Sequence, residues 1–301
     1  MKKMIQAAAA AAAVMLMTAA AQPASADEIM NFRMTAEQTV FTADALAAGD
    51  QVVKGNLFID HYSGLSQFRI MLRSDAPLVI ENGDYTRIAD QIGPDQKPQL
   101  AFFKDYSSSV YTQYNADTGV SNLALWYAKE SEDPGIFKTG TVNDANSSLL
   151  SFDVRIPKGT AVGDYTCYVA GGVKDNGEGQ PKTPEFSAYL NRVALEPGKD
   201  VLLTPVTFSV YSRGDVNCDG VVDLDDAQLA LLFYTKVTMG QTASPDEWYA
   251  EKTGTARGRA SRYAADLTGT GSVDLSDAQS ILRYYTLSMG EKTPDWNSIL
   301  S

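Results

Sequence analysis

The chain is poor in the residues that carry most nucleophilic and redox chemistry. It has one histidine and two cysteines among 301 residues. Cys167 and Cys218 lie in segments that look like different domains, so they do not predict a disulfide framework. His61 lies in a turn-like stretch, and no nucleophile-elbow sequence accompanies it. The sequence therefore does not indicate a nucleophile and base pair, and His61 is expected to be an ordinary surface residue.

Basic residues are also few. The chain has 25 Lys and Arg against 37 Asp and Glu, which gives a formal net charge of −12. Because nucleic acid attracts basic surfaces, a nucleic-acid partner is disfavoured. The apolar content of 44% is typical of a globular protein, and the length suits one large or two ordinary domains.

Long apolar runs are confined to the start of the chain. Two lysines precede an alanine-rich run from Ala7 to Ala21, and the small residues ASA follow at Ala24 to Ala26. This order predicts a secretory signal peptide over residues 1–26, with Asp27 as the mature start. A membrane anchor, the alternative, needs about 20 apolar residues without a cleavage site after them. We expect a secreted, extracellular protein that reaches a cell surface only through a partner.

Short segments with period-two alternation run from about Asn31 to Tyr211. In the clearest, SLLSFDVRI, every second residue is apolar, and successive side chains on a strand point to opposite faces of a sheet. The pattern predicts a mainly β domain over residues 27–212, an antiparallel sandwich or jelly roll. The apolar positions are Leu150/Phe152/Val154/Ile156, Phe68/Ile70/Leu72, Leu123/Leu125/Tyr127, Tyr165/Cys167/Val169 and Val206/Phe208/Val210.

After Tyr211 the pattern changes to loop, helix, loop and helix, which predicts a small α domain over residues 213–301. Residues 225–235 and 276–286 are apolar at helical spacing. In between, SPDEWYAE predicts a helix capped by Ser244 with Pro245 in its first turn. No linker-like sequence marks the boundary near Ser212, so the two domains are expected to abut. The matching apolar positions of the two helices are Ala227/Ala278, Leu231/Leu282 and Tyr234/Tyr285.

The α domain contains a duplicated acidic loop, GDVNCDGVVDLDDAQ and then ADLTGTGSVDLSDAQ. In the first copy, oxygen-bearing side chains fall at positions 1, 3, 5, 9 and 12 of a twelve-residue loop, with Gly220 at position 6. This is the spacing of an EF-hand Ca²⁺ loop, except that the twelfth residue is Asp instead of Glu. The predicted ligands are Asp215, Asn217, Asp219, the carbonyl of Val221, Asp223 and Asp226.

The second copy predicts a weaker Ca²⁺ site. Thr268 and Thr270 replace the acid or amide at positions 3 and 5, and a hydroxyl is a neutral ligand, so fewer charges face the ion. An Asp/Gly turn without metal is the alternative for both loops, and it is a stronger alternative for the second. The predicted ligands are Asp266, Thr268, Thr270, the carbonyl of Ser272, Asp274 and Asp277.

Two tandem loops of this kind, each followed by one helix near the C-terminus of a secreted acidic chain, resemble a dockerin module of bacterial cellulosomes. The resemblance covers about Arg213 to Ser301, although the segment from Gln241 to Ala264 is longer than in the shortest dockerins. It implies attachment of the bearer to a cohesin of a scaffoldin through the exposed faces of the two helices. The residues implied are Leu224, Asp225, Gln228, Leu232, Leu275, Ser276, Gln279 and Arg283.

Two questions about these helix faces stay open in the sequence. Leu224 and Leu275 suit either the docking face or the domain core. The pairs Asp225/Ser276 and Leu232/Arg283 differ between the copies, so we expect one helix face to dominate instead of two equivalent binding modes.

The β domain resembles a cohesin in outline. NSSLLSFDVRIPKGTAVGDYTCYV, GDQVVKGNLFIDHYSGLSQFRIML and VTFSVY are similar to cohesin strands and turns, but the segment RSDAPLVIENGDY and a long loop over residues 171–185 depart from the pattern. The resemblance implies that one flat sheet face binds the dockerin of another protein. The candidate strands are those around Phe68, Leu123 and Ser151, and the strand register decides which side chains face outward.

Two other functions remain for the β domain. A carbohydrate-binding module would stack sugars on aromatic residues, for which Trp126 and a loop patch of Tyr106, Tyr111 and Tyr114 are candidates. A jelly-roll glycoside hydrolase would need a pair of carboxylates. The function best indicated is a secreted, non-catalytic adaptor scaffoldin that binds a partner's dockerin and docks onto a scaffoldin, assembling a polysaccharide-degrading complex.

Overall fold

The computed structural model describes residues 29–60, 65–81, 106–115, 120–129, 150–171, 173–174, 183–190, 193–241, 244–290 and 293–301. The predicted signal peptide and His61 lie outside these ranges. Within them, no helix is long and apolar enough to span a bilayer.

The N-terminal part consists mainly of two sheets. The first sheet has the strand order β14-β1-β3-β8-β5. Its strands are β1 (Met30–Ala36), β3 (Gln51–Asp60), β5 (Val79–Glu81), β8 (Leu150–Ile156) and β14 (Val201–Thr204). A short helix, α1 (Ala43–Ala48), precedes β3.

The second sheet has the main order β13-β12-β4-β9-β15-β2, with β7 pairing to β4 and β6 to β7. Its strands are β2 (Val40–Thr42), β4 (Leu65–Ser74), β6 (Tyr106–Asn115), β7 (Val120–Lys129), β9 (Gly163–Val169), β12 (Ser187–Leu190), β13 (Val193–Ala194) and β15 (Val206–Tyr211). A separate two-stranded sheet pairs β10 (Val173–Lys174) with β11 (Thr183–Pro184).

The inward side chains of the two sheets form one core. The alternation in β8 is confirmed, because its four apolar residues are buried while Ser151 and Arg155 are partly exposed. Asp153, on the outward face, is nevertheless buried beside Lys54. The mainly β prediction is thus confirmed. Fully buried core residues include Phe32, Leu57, Phe68, Ile70, Leu72, Phe152, Val154, Cys167, Phe208 and Val210.

The sandwich is mixed, so the prediction of a purely antiparallel one is wrong. β1 pairs with β14, and β2 pairs with β15, in parallel. At each end of the sandwich sequence the chain passes from the first sheet to the second, from β1 to β2 and from β14 to β15. Pro205 lies between β14 and β15. Strands this far apart in sequence need no hairpin, so they can run side by side in the same direction. Pro205 cannot donate to a ladder, which places it at the break.

The tyrosine-rich patch is also a correction. Tyr106, Tyr111 and Tyr114 were assigned to a loop, but they belong to β6, which pairs with β7 along its whole length. The alternation of aromatic and β-branched residues in SVYTQY suits a strand, and pairing with β7 decides the matter.

The C-terminal part is helical. Its elements are α2 (Leu224–Thr238), α3 (Pro245–Thr253), α4 (Gly258–Ala265), α5 (Leu275–Ser288) and α6 (Trp296–Leu300). The predicted helix after Ser244 is confirmed, since the Ser244 hydroxyl accepts the Glu247 amide and Pro245 is the first helical residue. The core joins α2, α3, α4 and α5 and the two acidic loops through Val216, Ala227, Ala230, Phe233, Tyr249, Ala265, Val273, Ala278 and Ile281.

Candidate functional site

The first loop, residues 215–226, is organised by the carboxylate of Asp215. Its two oxygens accept the amides of Asp219 at 3.0 Å and Gly220 at 3.1 Å. The Asn217 side chain donates to Asp219 at 2.9 Å, which places positions 3 and 5 side by side. Gly220 has φ = +94°, a conformation that residues with a Cβ rarely adopt. A glycine at position 6 therefore permits the sharp turn of the loop.

The Asp226 carboxylate joins the two ends of the first loop. One oxygen accepts the amides of Val216 at 2.7 Å and Asn217 at 2.9 Å, and the other accepts the amide of Asp223 at 2.9 Å. Asp223 in turn caps α2, so the two residues form a capping box. Burial raises the pKa of Asp226 to about 6 against the opposing amide bonds, and the charge of Asp215 adds to the rise. The short Asp226 side chain stays at the helix start and binds the backbone at both ends of the loop.

The second loop, residues 266–277, has the same backbone framework. Asp266 accepts the amides of Thr270 at 3.0 Å and Gly271 at 2.9 Å. Asp277 accepts the amides of Thr268 at 3.0 Å and Asp274 at 2.9 Å. The second loop therefore keeps the main amide-to-carboxylate bonds of the first, while its threonines are neutral and Thr270 donates to the carbonyl of Ser272 at 3.0 Å.

The donor chemistry of both loops fits a hard cation, because every candidate ligand is an oxygen. In the described ranges, however, no group of three or more His, Cys, Asp or Glu side chains is arranged to hold a metal ion. Hydrogen bonds explain part of this arrangement, since both oxygens of Asp226 and of Asp277 accept backbone amides. The loops thus have the ligand chemistry of a Ca²⁺ site in a hydrogen-bonded arrangement.

The helices after the loops bury one face and expose another. Asp226, Ala227, Ala230 and Phe233 are the buried residues of α2, and Asp277, Ala278 and Ile281 are those of α5. Leu224 and Leu275 are each 42% exposed, so neither belongs to the core. All eight residues proposed from the sequence for partner contact are exposed: Leu224, Asp225, Gln228, Leu232, Leu275, Ser276, Gln279 and Arg283.

The exposed faces of α2 and α5 also carry leucines of the helical apolar pattern. Leu231 and Leu282 are 43% and 44% exposed, although both match the helical apolar spacing. The core side of α2 is formed by Ala227, Ala230 and Phe233, and Leu231 lies outside it. Exposed leucines therefore occur at two matching positions of the copies, Leu224/Leu275 and Leu231/Leu282, and further exposed apolar side chains follow at Val237, Met239, Leu287 and Met289.

The copies differ where Arg283 replaces Leu232. Its guanidinium donates to the carbonyl of Ile299 at 3.3 Å, so it binds the C-terminal segment as well as facing solvent. The two helix faces thus share exposed leucines at two matching positions but differ in charge at Leu232 and Arg283.

On the outward face of the first sheet, several polar side chains of adjacent strands are paired. Arg33 pairs with Asp60 at 2.8 Å and lies over the ring of Phe58 at 4.8 Å. Lys54 pairs with Asp153 on the neighbouring strand. Ser151 donates to Asn56 at 2.6 Å, and Arg155 to Glu81 at 2.6 Å. Opposite charges on adjacent strands hold these side chains in place.

The outward face of the second sheet is partly covered by the protein itself. Arg259 of α4 donates to the carbonyl of Thr207 in β15 at 2.8 Å. Ser209, outward by alternation, is fully buried, and Tyr211 contacts the ring of Tyr263 with centroids 5.9 Å apart. The outward face around β8 belongs to the first sheet.

A cleft of about 430 Å³ opens beside this covered region. Both oxygens of Asp164 in its lining accept backbone amides of α4, and Asp246 pairs with Arg262 at 2.6 Å. Glu185, which lies between β11 and β12, is buried and forms an ion pair with Arg73. These three carboxylates are engaged in hydrogen bonds or ion pairs within the protein.

Comparison with known proteins gives structural likeness only. No family model and no curated protein matches the chain. A type II cohesin domain from the cellulosome of Acetivibrio cellulolyticus is 10% identical, with 60% of this chain and 95% of that chain covered and a TM-score of 0.35. A type III cohesin from a cell-surface anchoring scaffoldin of Ruminococcus flavefaciens is 12% identical, with 61% and 88% covered and a TM-score of 0.33. A chain of a type I cohesin–dockerin complex from Clostridium thermocellum is 9% identical, with 63% and 99% covered and a TM-score of 0.34. These values do not establish a family.

Proposed function

We propose that the chain is a secreted, non-catalytic adaptor of a polysaccharide-degrading complex. The sandwich binds the dockerin of a partner, and residues 213–301 act as a Ca²⁺-dependent dockerin that docks onto a scaffoldin cohesin. The observation that supports this proposal best is the exposure of leucines at matching positions of α2 and α5, Leu224/Leu275 and Leu231/Leu282. Exposed apolar patches on a folded unit mark interaction surfaces more often than chance would give.

In this proposal each loop holds one Ca²⁺. Asp215, Asn217, Asp219, Asp223 and Asp226 hold it in the first loop with the Val221 carbonyl, and Asp266, Thr268, Thr270, Asp274 and Asp277 hold it in the second with the Ser272 carbonyl. The ion would neutralise the carboxylates and fix the start of the helix that follows. Because the threonines are neutral, the second loop binds more weakly.

The docking face consists of the exposed leucines of α2 and α5, the methionines that follow these helices, and their polar neighbours. Leucine and methionine side chains supply the apolar area that a cohesin sheet would bury, and Gln228 and Gln279 supply hydrogen bonds at its edge. Arg283 adds a positive charge that α2 lacks at the same position. One helix face therefore dominates for a given partner.

For the sandwich, the outward face of the first sheet is the surface that receives a dockerin. Of the three candidate strands, only the one around Ser151 belongs to this sheet. The strands around Phe68 and Leu123 belong to the second sheet, whose outward face is partly covered by α4. Side chains that are already held in ion pairs lose little freedom when a partner binds. The outward face of the first sheet therefore suits a protein partner.

The proposal is tested with the mature chain, residues 27–301, immobilised and exposed to purified type I, II and III cohesins and to purified dockerins. We expect cohesin retention in Ca²⁺ that is lost in EDTA, and dockerin retention that persists in the variant Leu231→Asp. The charge-matched control is Ala47→Asp, an exposed site on α1.

Separate outcomes distinguish the parts of the proposal. Leu231→Asp and Leu282→Asp should reduce cohesin retention unequally, which identifies the dominant helix. Chelation should also lower the thermal midpoint of the C-terminal part, and an identical melt in EDTA would contradict the Ca²⁺ sites. Retardation in cellulose or xylan gels without dockerin capture would assign the sandwich to carbohydrate binding, and release of reducing sugar would assign it to hydrolysis.

A further inference from the structure

A carboxylate of the sandwich caps a helix of the C-terminal part. Asp164 lies at the outward face of β9, and its two oxygens accept the amides of Arg259 at 2.8 Å and Ala260 at 3.0 Å. These amides belong to the first turn of α4, whose own N-cap residue, Arg257, makes no side-chain cap. The first turn of a helix has amides without intrahelical partners, so an acceptor is needed there. Here the acceptor comes from a residue 95 positions earlier in the chain.

Further contacts fix the same helix to the same sheet. The Asp164 amide donates to the carbonyl of Ala256 at 2.6 Å, and the Arg259 guanidinium donates to the carbonyl of Thr207. Gly258 is the point of closest approach between α3 and α4, because a Cβ there would lie 2.3 Å from the carbonyl oxygen of Asp246. Helix α4 therefore contacts β9 and β15 of the sandwich as well as α3 of the C-terminal part.

The other end of α4 leads directly into the second loop. Its last residue, Ala265, is followed by Asp266, the first residue of that loop, whose amide donates to Arg262 at 3.0 Å. Asp266 is also the residue that organises the loop through Thr270 and Gly271. A shift of α4 would move this carboxylate.

We propose that the sandwich controls the Ca²⁺ affinity of the second loop through Asp164 and helix α4. The inference rests on the proposed Ca²⁺ binding. Capping by Asp164 holds α4 in the position that aims Asp266 into its loop, and the second loop depends on such positioning more than the first because it has fewer charged ligands. By reciprocity, Ca²⁺ in the second loop tightens the contact between α4 and the sandwich.

The amides of Gly220 and Gly271 allow the two loops to be followed separately, since each donates to the first aspartate of its own loop. The experiment is a Ca²⁺ titration of the isotope-labelled mature chain, monitored by the NMR shifts of these two amides. In Asp164→Ala we expect the midpoint of Gly271 to move to about fivefold higher Ca²⁺, the factor given by loss of one helix cap. Asp164→Asn should restore part of the affinity, because its side-chain oxygen still accepts one amide. Asp44→Ala, an exposed site on α1 with the same change in charge, should leave both midpoints in place.

Hydrogen exchange in the unmutated chain gives a second test that needs no variant. The amides of Arg259 and Ala260 should exchange more slowly in Ca²⁺ than in EDTA, because binding and capping support each other. If Gly271 titrates identically in the wild type and in Asp164→Ala, or if these amides exchange at the same rate with and without Ca²⁺, the coupling is wrong and the Ca²⁺ sites stand. If neither glycine responds to Ca²⁺ in the wild type, the proposed Ca²⁺ binding and the coupling are both wrong.

Discussion

The indole of Trp296 is stacked on the ring of Tyr284, with centroids 4.1 Å apart and planes 17° apart. The same indole covers Gly214, where a Cβ would lie 2.5 Å from the ring. Gly214 immediately precedes the first loop and Tyr284 lies on α5, so the Trp296 side chain connects the start of the α domain to α5. Aromatic stacking adds to the apolar area buried in such a contact.

Replacement of Trp296 by Ala should therefore destabilise the C-terminal part by about 2 kcal/mol, less than a fully buried tryptophan because Trp296 is partly exposed. Urea unfolding monitored by helical circular dichroism would measure this loss. Trp296→Phe keeps a stacking ring and should lose less than half as much, whereas equal losses in both variants would show that stacking contributes little.

A second prediction concerns the two buried cysteines, which have different backbones. Cys218 has φ = +59°, a left-handed conformation that β-branched residues avoid, while Cys167 lies in the extended strand β9. Valine is close to cysteine in size, so Cys218→Val should destabilise the protein by about 2 kcal/mol through its backbone. Cys167→Val, the control, should change stability by less than about 1 kcal/mol, because valine suits a strand. Similar losses at both sites in chemical denaturation would contradict the backbone explanation.

A third prediction concerns Gly55, over which the ring of Phe152 lies. A Cβ at this position would be 2.4 Å from the ring, so Gly55→Ala forces the ring out of the packed core of the sandwich. Overpacking of this kind costs about 1–3 kcal/mol. At Gly49 no atom lies within 4 Å of a Cβ and the backbone is extended, so Gly49→Ala should be neutral or slightly stabilising. Thermal unfolding of the two variants would compare them directly, and a stable Gly55→Ala protein would show that Phe152 can move aside.

The sequence predicted those features whose determinants are local. Alternation in SLLSFDVRI identified the buried face of β8, and Ser244 with Pro245 identified the start of α3. Parallel pairing was missed because β1 and β14 meet across the whole domain. Helix α4 was missed because its cap, Asp164, is distant in the chain. The apolar spacing groups Leu231 with Ala227, whereas the buried residues of α2 besides Asp226 are Ala227, Ala230 and Phe233.

A last prediction compares the aspartates that end the two loops. Asp226 accepts three backbone amides and Asp277 accepts two, and both side chains are fully buried. Hydrogen bonds to a carboxylate contribute about 1.5–3 kcal/mol each, and an asparagine replaces one accepting oxygen by an NH₂ group that faces the amides with the wrong polarity. Asp226→Asn should thus destabilise the C-terminal part by at least about 2 kcal/mol, and Asp277→Asn should destabilise it by less.

Unfolding in EDTA separates this backbone role from Ca²⁺ binding. The order of the two variants should persist without Ca²⁺, because the amide bonds are made by the protein alone. If the proposed Ca²⁺ sites form, adding Ca²⁺ should then stabilise the wild type more than either variant, since each variant removes one of the proposed charged ligands. If both variants matched the wild type in EDTA and differed from it only in Ca²⁺, the aspartates would serve the ion and not the backbone, and the capping role assigned to them here would be wrong.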